Sequence, residues 1–184
     1  MQENKLANPG PLGLAGFALT TFLLSLINAG IIAPDNIGVV LPMGLFYGGL
    51  AQLLAGMWEF KTGNTFGATC FSSFGAFWIG LATMVLLEKA GVIATVPPAG
   101  LAAFLTAWGL FTLYATIAAT KLSKGVLSVF VALTITFFLL AIGEYVHGFK
   151  VTGGYMGLIT AGLAWYCSAA TMINGTFGRT VLPV

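Results

Sequence analysis

The chain has 184 residues, 58% of them hydrophobic and only 7% charged, with a formal net charge of +2 and a mean hydropathy of +0.98. A soluble domain carries about 25% charged residues, so this composition excludes a water-covered globular fold. It implies an all-α, polytopic membrane protein, with one integral-membrane domain over residues 1–184. So small a net charge gives no footing for a nucleic-acid partner.

The opening "MQENKLA" lacks a basic region leading to a cleavage site, so the first apolar run is expected to stay in the mature protein. Six apolar segments follow, at roughly residues 12–33, 37–60, 66–87, 98–120, 126–146 and 151–173. Each is long enough to cross about 30 Å of hydrocarbon as a helix. The breaks "PDN", "EFKTGN", "EKAGVIATVP", "KLSKG" and "HGFK" hold most of the charge. If the N-terminus is cytoplasmic, that side carries Lys5, Lys61, Lys121, Lys124 and Arg179, against Lys89 and Lys150 outside. The positive-inside rule then places both termini in the cytoplasm.

The first segment opens on Pro9, Gly10, Pro11, Gly13 and Gly16. Proline is tolerated in a first helical turn, whose N–H groups have no helical partner. The glycines leave that backbone slim, and a helix start with free N–H groups suits an anion. The stretch therefore fits a pore mouth that draws anions without a full positive charge. Further on, Phe17, Thr20, Thr21, Leu24 and Asn28 share one helical face. Such a stripe serves either as helix–helix glue, at about 0.6–2 kcal/mol per contact, or as the lining of a pathway. In the fifth segment Leu133, Thr136, Phe137, Leu140 and Glu144 repeat the spacing. Glu144 lies at the outer interface or deeper, and an ionisable residue beside a membrane path is a functional candidate.

Gly44 and Gly48 form a GxxxG pair, as do Gly153 and Gly157, and bring backbones together within a protomer or between protomers. Cys70 and Cys167 lack a CxxC arrangement and read as small packed hydrophobes. His147, the only histidine, stands at a segment end, and no HExxH or GxSxG motif is present, so enzyme chemistry, metal and cofactor are not expected. No segment holds Lys or Arg at its centre; an anion inside must be held by hydroxyl, amide or backbone donors, which suits conduction. A short repeat relates Thr20, Phe22, Leu23 and Leu24 to Thr136, Phe138, Leu139 and Leu140, and "TFGAT" to "TFGRT". It suggests three hairpins about one axis, as in parallel-repeat transporters.

At "NPGPLGLAGF" the sequence resembles the acetate uptake transporter family, of the succinate–acetate permease type. That signature, NPxPLGLxGF, is matched by Asn8, Pro9, Pro11, Leu12, Gly13, Leu14, Gly16 and Phe17. The likeness continues through Phe46–Trp78, "LLAIGE" and "FGRTVLP". It implies six helices around a pore in each protomer of a homohexamer, carrying acetate and small mono- or dicarboxylates such as succinate. The mode is that of an anion channel or a proton-coupled permease in the inner membrane. It also implies a hydrophobic constriction at Phe17, Phe74 and Leu133. Thr20, Thr21, Asn28, Thr136 and Glu144 are then the candidate substrate contacts. The competing expectation is a membrane scaffold or sensor whose polar stripes only hold helices together.

Overall fold

The computed structural model describes residues 6–184. Lys5 and most of the opening "MQENKLA" lie outside the described residues. Among those described there is no strand, and six helical spans are long and apolar enough to cross a membrane.

The first span, α1 (Gly10–Asn28), starts at Gly10 rather than 12, because Pro11 fits the first turn and Pro9 precedes it. It stops well short of 33, where Gly30 turns the chain in a left-handed conformation (φ 72). The second span is broken. A 3-10 turn (Pro34–Asn36) leads into α2 (Ile37–Leu45), a π-helical stretch (Phe46–Ala51) and α3 (Gln52–Thr62). Pro42 removes one N–H inside this span, and the wider π turns follow directly. α4 (Thr65–Lys89) is capped by Asn64, whose Oδ1 accepts the Gly67 N–H at 3.0 Å. α5 (Pro98–Ala119) follows, then α6 (Lys124–Gly143), capped by Ser123. The last, α7 (His147–Phe177), overruns the expected 151–173 at both ends.

The spans pack in chain order, α1 on the second span, the second span on α4, α5 on α6 and α6 on α7, and α7 returns to α1. Within this ring, α1, α4 and α6 bring together Phe17, Phe74, Phe77, Trp78, Phe130, Leu133 and Phe137 as one buried cluster. Large apolar side chains such as Phe46, Trp58, Tyr114 and Ile117 remain exposed on the outside, as a lipid-facing surface requires.

The GxxxG glycines pack inside the chain. A Cβ at Gly48 would lie 2.7 Å from Thr20 Cβ, and one at Gly153 would lie 2.8 Å from Leu140 Cδ2. The two halves of the "TFGAT"/"TFGRT" match differ locally: Thr65–Thr69 opens α4, whereas Thr176–Thr180 runs out of the end of α7 into a tail. That tail folds back, since the Asn174 side chain accepts N–H groups of Val181 and Leu182 and donates to the Leu182 carbonyl. Cys70 and Cys167 are free and buried.

Candidate functional site: an apolar ring between two cavities

Phe17 of α1, Phe74 of α4 and Leu133 of α6 converge, with the two rings 5.8 Å apart between centroids. All three side chains are buried. Phe74 is further braced by Phe111 and by a stacked Phe137. Toward the C-terminal ends of α1, α4 and α6 a cavity of about 870 Å³ opens, and toward their N-terminal ends a second of about 20 Å³. Phe17 and Leu133 border both cavities, and Phe74 borders the smaller. The ring therefore separates them. The smaller one has room for about one water, less than a carboxylate needs, in this conformation.

Phe17, Thr21, Leu24 and Asn28 line the larger cavity as a continuous stripe of α1. Thr20 does not join them. It is wholly buried, donates to the Gly16 carbonyl at 3.0 Å and sits against Gly48 of the second span. Thr136 lines the cavity, but its hydroxyl bonds the Ala132 carbonyl at 2.8 Å and meets the Thr160 hydroxyl of α7 at 3.2 Å. Thr20 and Thr136 thus hold the first and last hairpins together at corresponding places. Thr21 Oγ1 and Trp78 Nε1 are buried without a partner among the described residues, and both residues border the larger cavity.

The wide end of that cavity is rimmed by Glu88, Glu144, His147 and Lys150. Lys150 Nζ donates to Glu144 Oε1 at 3.1 Å, with 12% of the glutamate side chain and 39% of the lysine exposed. Glu144 is therefore a partly buried rim residue with a paired charge. Glu88 Oε1 accepts the Val96 N–H at 2.7 Å and ties down the loop before α5.

At the start of α1 the N–H groups are already used. Gly10 donates to Asn8 Oδ1 at 2.8 Å, Leu12 and Gly13 donate to the Pro9 carbonyl, and Pro11 has none. The expected anion-drawing mouth thus has no free first-turn donor. The "NPGPLGLAGF" stretch serves packing instead. Gly13 lies under the Phe71 ring of α4, Gly16 lies on the Tyr47 carbonyl of the π stretch, and Leu14 borders the small cavity.

A family model described as the GPR1/FUN34/yaaH family matches residues 1–184. The chain belongs to this family. Among its relatives, the succinate-acetate/proton symporter SatP of Escherichia coli (strain K12) is 44% identical over 186 residues, covering 100% of this chain and 98% of that protein. Acetate permease A of Emericella nidulans is 36% identical over 203 residues, covering 100% of this chain and 67% of that protein. The solved structure of the bacterial acetate channel SatP superposes with a TM-score of 0.95 at 44% identity, over 98% of this chain and 99% of that one.

Two residues of this GPR1/FUN34/yaaH member escaped the sequence reading. Glu59, expected as a loop charge in "EFKTGN", is only 3% exposed. Its Oε2 accepts from Thr62 Oγ1 and Asn64 Nδ2, both at 3.0 Å, so it braces the turn into α4. The other is Gln52, at the first position of α3, 1% exposed and bordering the small cavity. A lone polar letter in an apolar run was the only signal for it.

Proposed function

We propose that this chain moves acetate and related small carboxylates such as succinate across a membrane, through the path interrupted by Phe17, Phe74 and Leu133. The observation that carries the reading is the apolar ring standing between a wide cavity and a small one. Its relatives, a succinate-acetate/proton symporter and an acetate permease, support the substrate class. Taken as similar to a glutamate side chain, with pKa about 4.3, acetate is almost wholly ionised at pH 7. It crosses either as a hydrogen-bonded anion or with a proton gained on the way. Thr21 and Trp78 offer donors on the wide side, where the anion begins to shed water.

Flux of labelled acetate into liposomes holding the purified protein tests this reading. A scaffold or sensor gives none. Reversal potentials under opposed acetate and pH gradients then separate channel from symport. We further take both termini as cytoplasmic. A cysteine placed at Ile93, in the loop before α5, should react with an impermeant reagent from outside intact cells. Reaction only after permeabilisation would reverse the topology. The protein is read as a homohexamer, in which each chain keeps its own path. Native mass spectrometry in mild detergent should give six copies, and a monomer alone would count against it.

Glu144 bears on anion entry through Lys150. Glu144→Gln removes the carboxylate partner and frees the lysine charge at the rim. The variant should keep or raise acetate flux at pH 7. Abolished flux at all pH values would make Glu144 an obligate carrier.

A further inference from the structure

Buried polar atoms are almost always paired, so each orphan asks for a reason. Among the described residues four buried side-chain atoms lack a partner: Thr21 Oγ1, Gln52 Oε1, Ser72 Oγ and Trp78 Nε1. Thr21 and Trp78 border the wide cavity, beyond the ring, whereas Ser72 faces Gly56 in the contact between α3 and α4. Gln52 borders the small cavity together with Phe17, Phe74 and Leu133. Its companions there are Leu14, Cys70, Phe71, Val129 and Phe130, so Gln52 supplies the only side-chain amide. The amide is 1% exposed and sits where the π-helical stretch gives way to α3, a type of helix irregularity that often marks functional positions.

We propose that the Gln52 amide directly hydrogen-bonds the substrate carboxylate as it clears the ring, on the side away from the wide cavity; this rests on the transport reading above. The ring strips water from the anion and offers nothing polar in return. Only the Nε2 end of the amide can replace that water with a donor, so Nε2 must face the path; the unpartnered Oε1 accepts and cannot bond a carboxylate. Thr21 and Trp78 receive the carboxylate on one side, and Gln52 takes it on the other. In this conformation the chamber is too small for a carboxylate, so the contact forms only as the ring opens. A single neutral donor among apolar side chains then holds the anion briefly and lets it go, as conduction requires.

The test replaces the amide and keeps the size: Gln52→Met, with Gln52→Leu beside it. Each is reconstituted in liposomes and compared with wild type for acetate flux and for thermal stability. Hydrogen bonds to charged groups imply a loss of about ten- to a hundredfold in flux. Stability should hold or rise, since an unpaired buried amide is removed. Both variants folding with wild-type flux would overturn the assignment. So would both failing to fold, because the amide would then be a structural partner. No acetate flux from wild type would overturn the transport reading and the proposal together, whereas wild-type flux retained by Gln52→Met overturns the proposal alone.

Discussion

Gly16→Leu is expected to yield no monodisperse folded protein, and Gly16→Ala a folded but weakened one. A Cβ at this position points straight at the Tyr47 carbonyl oxygen, with the carbonyl carbon 3.1 Å and the Gly48 nitrogen 3.7 Å away. These are backbone atoms and cannot swing aside as a side chain would. Alanine gains about 1 kcal/mol over glycine in helix propensity, which works against the clash. Overpacking costs about 1–3 kcal/mol, and here it forces α1 off the π-helical stretch as a unit. Phe17, the next residue, moves with it, so the ring is disturbed as well as the fold. Gly175→Ala is the control, since nothing lies within 4 Å of a Cβ there. Thermal unfolding in detergent should fall for Gly16→Ala and hold or rise for Gly175→Ala. A Gly16→Ala protein as stable as wild type would mean that α1 and the second span do not approach this closely.

How far the sequence reaches can be seen around that contact. The number of spans follows from segment length and apolarity, and all six are present. The break in the second span does not follow, although Pro42 and the Gly48–Gly49 pair stand in plain view. A proline inside an apolar run costs the segment no hydropathy, and a π turn leaves no compositional mark. Periodicity places Thr20 and Thr21 on one face because the face is broad. Adjacent residues are about 100° apart on a helix. Only the packing partners decide that Thr20 turns to Gly48 and Thr21 to the cavity.

Charge patterning has a similar limit. Glu59 and Glu144 both stand near segment ends, where a solvated position is the ordinary expectation. The fold gives them different surroundings. Glu59 is enclosed by the hydroxyl of Thr62 and the amide of Asn64, while Glu144 finds Lys150 across the short connection into α7. The first is a local turn device and was within reach of the "EFKTGN" spacing. The second depends on α7 starting at His147, four residues before the apolar segment does, which brings Lys150 onto a helix. Gln52 shows the deeper difficulty. Its significance lies in what it does not touch, and a sequence carries no record of an unmade hydrogen bond.

Leu133→Ala should widen the ring and admit lactate-sized acids, with acetate flux kept or raised. Leu133 borders both cavities, so its truncation joins them directly instead of leaving a sealed hole. Phe17 and Phe74 remain, held 5.8 Å apart and backed by Phe137 and Phe111, so an apolar barrier survives on the opposite side. Acetate presents one methyl group to that surface and passes with its carboxylate toward the flanking donors. Lactate adds a carbon and a hydroxyl; the first meets the steric limit and the second loses its water. Removing the leucine side chain relieves the steric limit and lets water accompany the hydroxyl. The lactate-to-acetate flux ratio should therefore rise about tenfold or more, the difference that roughly 1–3 kcal/mol per methylene of fit supports. If Leu133 is only core packing, truncation costs about 2–5 kcal/mol of stability and leaves the ratio alone. Flux measured with matched protein amount and oligomeric state separates the two, and an unchanged ratio in a well-folded variant removes Leu133 from the gate.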